Sequence, residues 1–189
     1  MTTATTSRGD PAWVDDVLRF WFGELPEIHW FVRNDEVDAR IRKRFLALHG
    51  DIVADGGVPV TSSPRALLAA VIVLDQFSRN LYRDDPRAFA ADADARRLAR
   101  SMVEQGFDRS MTNQERLFVY LPFEHSENAD DQSWSVRLVR ELGNESWTRY
   151  ALAHQAAIDR FGRFPFRNAA LGRSSTADEL AYMSEAARG

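Results

Sequence analysis

LLAAVIVLDQFSRNLYR, residues 67–83, passes abruptly from eight apolar residues to Asp75, Gln76, Arg79 and Asn80. Residues 66–74 are apolar throughout, so periodicity alone does not separate a buried strand from a buried helix. Ser63–Pro64 in front is a helix-start signal, the run begins Ala-rich, and the segments on both sides read as helices. A helix is therefore predicted, and one that is apolar all round must be buried. If it continues to Arg83, Gln76, Arg79, Asn80 and Arg83 share one face, and Asp75 reaches Arg79 one turn on. The stretch reads as the central helix of an all-α domain, with its polar end entering a buried or half-buried site.

The neighbouring segments carry the same kind of signal. Asp10–Pro11 predicts a helix start, followed by Val14, Val17, Leu18 and Trp21 at helical spacing. The segment ELPEIHWFVRN is irregular, and Trp30 and Phe31 are expected to anchor it to the core. Asn34 caps a helix to about Asp55, stopped by Gly56–Gly57, with Val37, Ile41, Phe45, Leu48 and Ile52 as its apolar stripe and His49 beside it. Asp85–Pro86 predicts a helix to Gln105, with Phe89, Ala93, Leu98 and Met102 inward. Thr112 and Glu115 form a capping box. Pro122 is expected to kink or interrupt the helix that follows. Helices are predicted over about 131–142 and from Asn144 to Phe161, the second with a stripe of Trp147, Ala151, His154, Ile158 and Phe161. Thr176 and Glu179 form a second capping box, with Leu180 and Met183 inward. The expected architecture is all-α, with seven to eight helices in antiparallel pairs.

The 189 residues suit one domain over residues 10–189, after a flexible tail over 1–9. The net charge of −4 argues against electrostatic binding of nucleic acid or anionic membrane. There is no cysteine, which removes thiolate catalysis and Cys-based metal sites. The first nine residues, MTTATTSRG, lack an apolar signal core and no apolar run approaches the roughly 20 residues of a membrane span, so the cytoplasm is the expected location.

Three polar clusters fall where periodicity predicts burial. The first is Asp75, Gln76, Arg79, Asn80 and Arg83. The second is Glu124, His125, Ser126 and Glu127, where a one-turn spacing would let both carboxylates face one point. The third is Arg160, Arg163, Arg167, Asn168 and Arg173. Buried charges must be paired, so one reading is a structural network tying helix ends together. The other leaves some donors for a ligand. Ser126 and His125 are adjacent and do not make a nucleophile–base pair. Glu124, His125, Glu127 and His154 are metal-ligand types, but no Glu-x-x-His or His-x-x-x-His spacing occurs, so neither metal nor cofactor is expected. His125 and Glu127 are the candidates for general acid–base work, since burial beside arginines shifts either group.

LDQFSRNLYR, AFAADADA, LPFEHSE and RFGRFPFRNAALGRSST, in this order, closely resemble the bacterial family known as domain of unknown function nine-two-four; VLRFWFGE and HWF resemble it as well. The resemblance covers about 14–179. It implies an all-α fold similar to the tetratricopeptide-like α-α superhelix and no assigned reaction. Ser78 stands where that family usually has proline, and Phe166 where it usually has histidine. The second departure argues against any mechanism needing an imidazole at that position.

The reading that follows is an arginine-lined pocket for a small anionic molecule. Asp75, Glu124 and Glu127 would orient the arginines, and Arg79, Arg163 and Arg167 would meet the anion. Gln76, Asn80, Asn168 and His125 would complete the site with hydrogen bonds. The alternative is a tetratricopeptide-like scaffold holding a protein or peptide partner on a concave face.

Overall fold

The computed structural model describes residues 9–56 and 63–186. The expected tail over residues 1–9 lies outside them apart from Gly9, and so does Gly57 of the expected helix stop. The described residues form eight helices and no strand. These are α1 (Ala12–Leu18), α2 (Asp35–Ala54), α3 (residues 64–81), α4 (Asp92–Glu104), α5 (Asn113–Glu124), α6 (Ala129–Arg140), α7 (Glu145–Phe161) and α8 (Ala177–Ala186). No helix among the described residues is long and apolar enough to cross a membrane.

α3 is the buried centre. Every residue from Ala66 to Leu74 is buried, as the all-round apolar run requires. The helix packs on α1, α2, α4 and α5, while α5, α6 and α7 pack in succession. Phe77 meets Trp21 edge-on at 5.7 Å and stacks on Phe45 at 4.9 Å, and Trp21 meets Phe118 at 5.4 Å. This aromatic contact joins α2, α3 and α5 behind the polar end of α3.

α3 is not α-helical throughout. Pro64–Val71 is α-helix, Ile72–Phe77 is a π-helical turn, and Ser78–Leu81 is α-helix again. Two carbonyls of the wider turn take side-chain donors: Ser78 Oγ donates to Leu74 O at 2.6 Å, and Arg79 Nη1 to Asp75 O at 2.6 Å. The π turn thus falls where the sequence turns polar, a common location for such turns at functional sites.

The start signals hold at most helix ends. Asn34 accepts from Glu36 N and Val37 N, Ser63 from Ala66 N, and both capping boxes close. Others require correction. Asp10 does not cap α1; its carboxylate accepts Ser63 Oγ at 2.6 Å, so it ties the starts of α1 and α3 together. Asp85–Pro86 opens only a 3-10 turn, Pro86–Ala88, and α4 begins at Asp92. That break changes the helical phase, so Ala95 is buried where Ala93 was expected and Ala93 is exposed. α5 runs through Pro122 to Glu124. Phe31 and Leu180 are exposed, at 55% and 56%, and Glu179 is buried in α8 instead. His49 is buried, with Nε2 2.8 Å from Ser78 Oγ, so Ser78 holds the histidine ring in place.

Candidate functional site

A cavity of about 390 Å³ opens beside the polar end of α3. Ligand pockets span roughly 300–1,000 Å³, so it is large enough for a small organic molecule. Gln76, Arg79 and Asn80 of α3 line one side, joined by Arg83, which follows the helix because α3 ends at Leu81 and does not continue to Arg83 as expected. Glu124 and His125, at the end of α5, and His154 of α7 line the base. Trp30, Phe31, Leu117, Leu121, Trp147 and Tyr150 form apolar walls. Phe118 positions the loop wall: Trp30 meets it edge-on at 5.0 Å and Phe31 stacks on it at 6.0 Å.

Behind the cavity lies Asp75, 1% exposed. Its carboxylate meets Arg79 Nη1 at 3.2 Å, and His125 Nδ1 approaches its two oxygens at 2.8 and 3.0 Å. Arg79 also donates to both oxygens of Asp92, at 3.0 and 3.1 Å. Asp92 then accepts from Arg167 Nη1 at 3.2 Å, and Arg167 Nη2 donates to His125 O at 2.8 Å. The Arg167 guanidinium lies 4.7 Å from the ring centres of both Phe89 and Phe164. Two acids and two arginines alternate, so the network is neutral overall and each charge has an opposite neighbour.

The network sets the protonation of the cavity base. Burial opposes ionisation of Asp75, but Arg79 and His125 hold it below the usual carboxylate range. Burial and the Arg79 charge lower His125 to about 4, against the pull of Asp75. A neutral His125 must donate from Nδ1 to the ionised Asp75, since a carboxylate only accepts. Its Nε2 is then an acceptor, with no partner among the described residues. Glu124 is different. Burial and the charge of Asp75 raise its carboxyl to about 8, so it keeps its proton at neutral pH. His154 Nδ1 lies 3.1 Å from Glu124 Oε1 and 2.9 Å from Tyr150 O. Burial lowers His154 as well, and its Nδ1–H donates to the Tyr150 carbonyl, which can only accept.

The remaining candidates serve elsewhere. Glu124 contacts His154 and no arginine, so it does not orient one. Glu127 does not face the same point as Glu124, because α5 ends at Glu124 and helical spacing ends with it. Glu127 instead accepts Phe164 N–H at 2.8 Å and two donors of Arg173 at 2.8 and 3.0 Å. Arg163 is bound to Glu179 at 2.7 and 2.9 Å and donates to Ser174 O. Asn168 donates to Ser175 Oγ at 3.1 Å, near the same Glu179. These groups pin the segment between α7 and α8. Arg163, Arg167, Asn168 and Glu127 do not line the cavity, and neither does Phe166. Among the described residues no three His, Asp or Glu side chains are grouped as metal ligands.

The family described as bacterial protein of unknown function (DUF924) matches residues 17–187. The chain belongs to this family. A solved structure, of the protein of unknown function ATU0120 from Agrobacterium tumefaciens, is 31% identical to it. That structure matches with a TM-score of 0.86 over 92% of this chain and 98% of its own. No curated protein matches the chain.

Within this family member, sequence reasoning missed Asp92, which joins Arg79 to Arg167 across 13 and 75 residues of chain. Its only signal was its place in the AFAADADA motif. It also missed the aromatic walls, because Trp30 and Phe31 sit in an irregular segment and Trp147 and Tyr150 looked like ordinary helix residues.

Proposed function

We infer that the cavity binds a small organic anion with an apolar or aromatic body. The observation that carries this is the set of guanidinium N–H groups left over at the cavity wall. Arg79 uses Nη1 and one proton of Nη2 on Asp75 and Asp92, which leaves Nε–H and a second Nη2 proton without an acceptor among the described residues. Arg83 binds Asp38 through Nε and Nη2, which leaves both protons of Nη1. A carboxylate or phosphate is the partner such forks fit best. Apolar walls would take the body of the ligand by burial. Arg163 and Arg167 are held by Glu179 and Asp92 and do not line the cavity, so they do not meet the anion.

A peptide scaffold of the tetratricopeptide-like kind is the less favoured reading. The succession of α5, α6 and α7 suits a superhelix. However, Gln76 of the side wall and Glu124 of the base are buried, which suits a small ligand better than an extended chain.

The test is a thermal-shift series with aromatic and aliphatic carboxylates and phosphates. A ligand at about 100 times its dissociation constant stabilises by about 2.7 kcal/mol. For a chain of this size that is a rise of about 5–10 °C. Trp147→Ala, which opens the wall, should abolish the rise. A series in which no anion shifts the midpoint would contradict the reading.

A further inference from the structure

We propose that His125 and Glu124 act as a base–acid pair that moves a proton within an enolisable 2-oxo acid bound in the cavity. The inference rests on the anion-binding reading and adds a reaction to it. His125 and Glu124 are consecutive, yet both reach the cavity because α5 ends between them. Asp75 fixes the His125 ring through Nδ1, 2.8 Å away, and directs the lone pair of Nε2 away from the carboxylate. His154 Nδ1 lies 3.1 Å from Glu124 Oε1 and is engaged by the Tyr150 carbonyl, and the Glu124 carboxyl lines the same cavity as the His125 ring. The two side chains thus present one acceptor and one donor to the same space.

The lining residues narrow the chemistry. They include no serine, threonine or lysine, and the chain has no cysteine. The side chains that most often form covalent intermediates are therefore missing from the wall, while an acid and a base are present. The aromatic side chains of the walls suit an aryl or branched body, and the unshared N–H groups of Arg79 and Arg83 suit the carboxylate and the carbonyl oxygen.

The step balances without a co-reactant. Nε2 of His125 takes a proton from C3 of the 2-oxo acid. The C–H electron pair forms the C2=C3 bond, and the carbonyl oxygen takes the proton of Glu124. The product is the enol, with His125 protonated and Glu124 ionised. The reverse step, or exchange of one proton with water at each group, restores the pair. At neutral pH the base is already deprotonated and the acid already protonated, since their values lie near 4 and near 8.

The experiment uses the full chain with phenylpyruvate, 4-hydroxyphenylpyruvate and 4-methyl-2-oxopentanoate in deuterated buffer. Proton NMR follows loss of the C3 proton signal, and thermal shift reports binding in parallel. The wild type should accelerate exchange of at least one of the three. His125→Asn and Glu124→Gln should each lower that rate by about 100-fold or more while the thermal shift persists. Glu124→Gln is neutral and isosteric, so it remains informative if His125→Asn fails to fold. If a 2-oxo acid binds but exchanges at the buffer rate, or if both variants keep the wild-type rate, the proton-transfer proposal is overturned and the anion site stands. If other anions bind and no 2-oxo acid does, this proposal alone fails. If no anion of either series shifts the midpoint, both fail.

Discussion

Asp75→Ala is expected to destabilise the protein by about 3–5 kcal/mol, the cost of leaving a buried charge without its partner. For a chain of this length the melting midpoint should fall by about 6–20 °C. Asp75 is 1% exposed and faces Arg79 on one side and His125 on the other. Its removal leaves Arg79 with Asp92 as its one carboxylate partner among the described residues, in a position where burial disfavours the cation. His125 loses the acceptor for Nδ1 at the same time. The measurement is equilibrium unfolding in urea, wild type against variant. A change below about 1 kcal/mol, the usual size for an exposed pair, would show that the network is solvated.

Glu124→Gln should have the opposite sign, with a gain that grows with pH. Burial and the charge of Asp75 raise the folded-state carboxyl from 4.5 to about 8. Between those values the unfolded chain has released the proton and the folded chain retains it, so stability falls as pH rises towards the folded value. His125 runs the other way, since its folded value is lowered from 6.5 to about 4. Its contribution is complete above 6.5 and is lost as pH falls through 4. The two slopes oppose each other from 4.5 to 6.5, and from 6.5 to 8 Glu124 acts without that opposition. The variant should match the wild type near pH 4.5 and exceed it by on the order of 4 kcal/mol near pH 8. In thermal melts the wild-type midpoint should drop by roughly 4–8 °C between pH 6.5 and 8 relative to the variant. Parallel pH profiles for the two proteins would contradict a carboxyl held protonated by its surroundings.

Local chemistry made much of the fold legible. The caps at Asn34 and Ser63 and the two capping boxes act within three residues of chain, so the sequence states them directly. The all-round apolar run of α3 announced its burial for the same reason. Asp85–Pro86 misled because a cap with proline behind it suits a 3-10 turn as well as a long helix. Leu180 misled because the capping carboxylate of Glu179 is itself drawn inward by Arg163.

The site was legible in part. Helical spacing placed Gln76, Arg79 and Asn80 on one face, and they share the cavity wall; Arg83 joins them from the turn after the helix, which spacing does not account for. Pairing across the chain was not legible, because guanidinium and carboxylate partners carry no mark of which will meet. Arg167 pairs with Asp92 and Arg173 with Glu127, where composition offered several acids to each. The exceptional proton of Glu124 follows from burial beside another carboxylate, which no spacing rule reveals.

The central claim is that the buried Asp75–Arg79 network holds His125 neutral, with its proton on Nδ1 and a bare Nε2 in the cavity. Nitrogen-15 NMR of the imidazole side chains, recorded over a pH series, reads both properties in one experiment. At pH 7 the His125 signals should show a protonated Nδ1 and an unprotonated Nε2, and the ring should take up its second proton near pH 4. A ring that titrates at its ordinary value of 6.5, or that carries its neutral-state proton on Nε2, would contradict it.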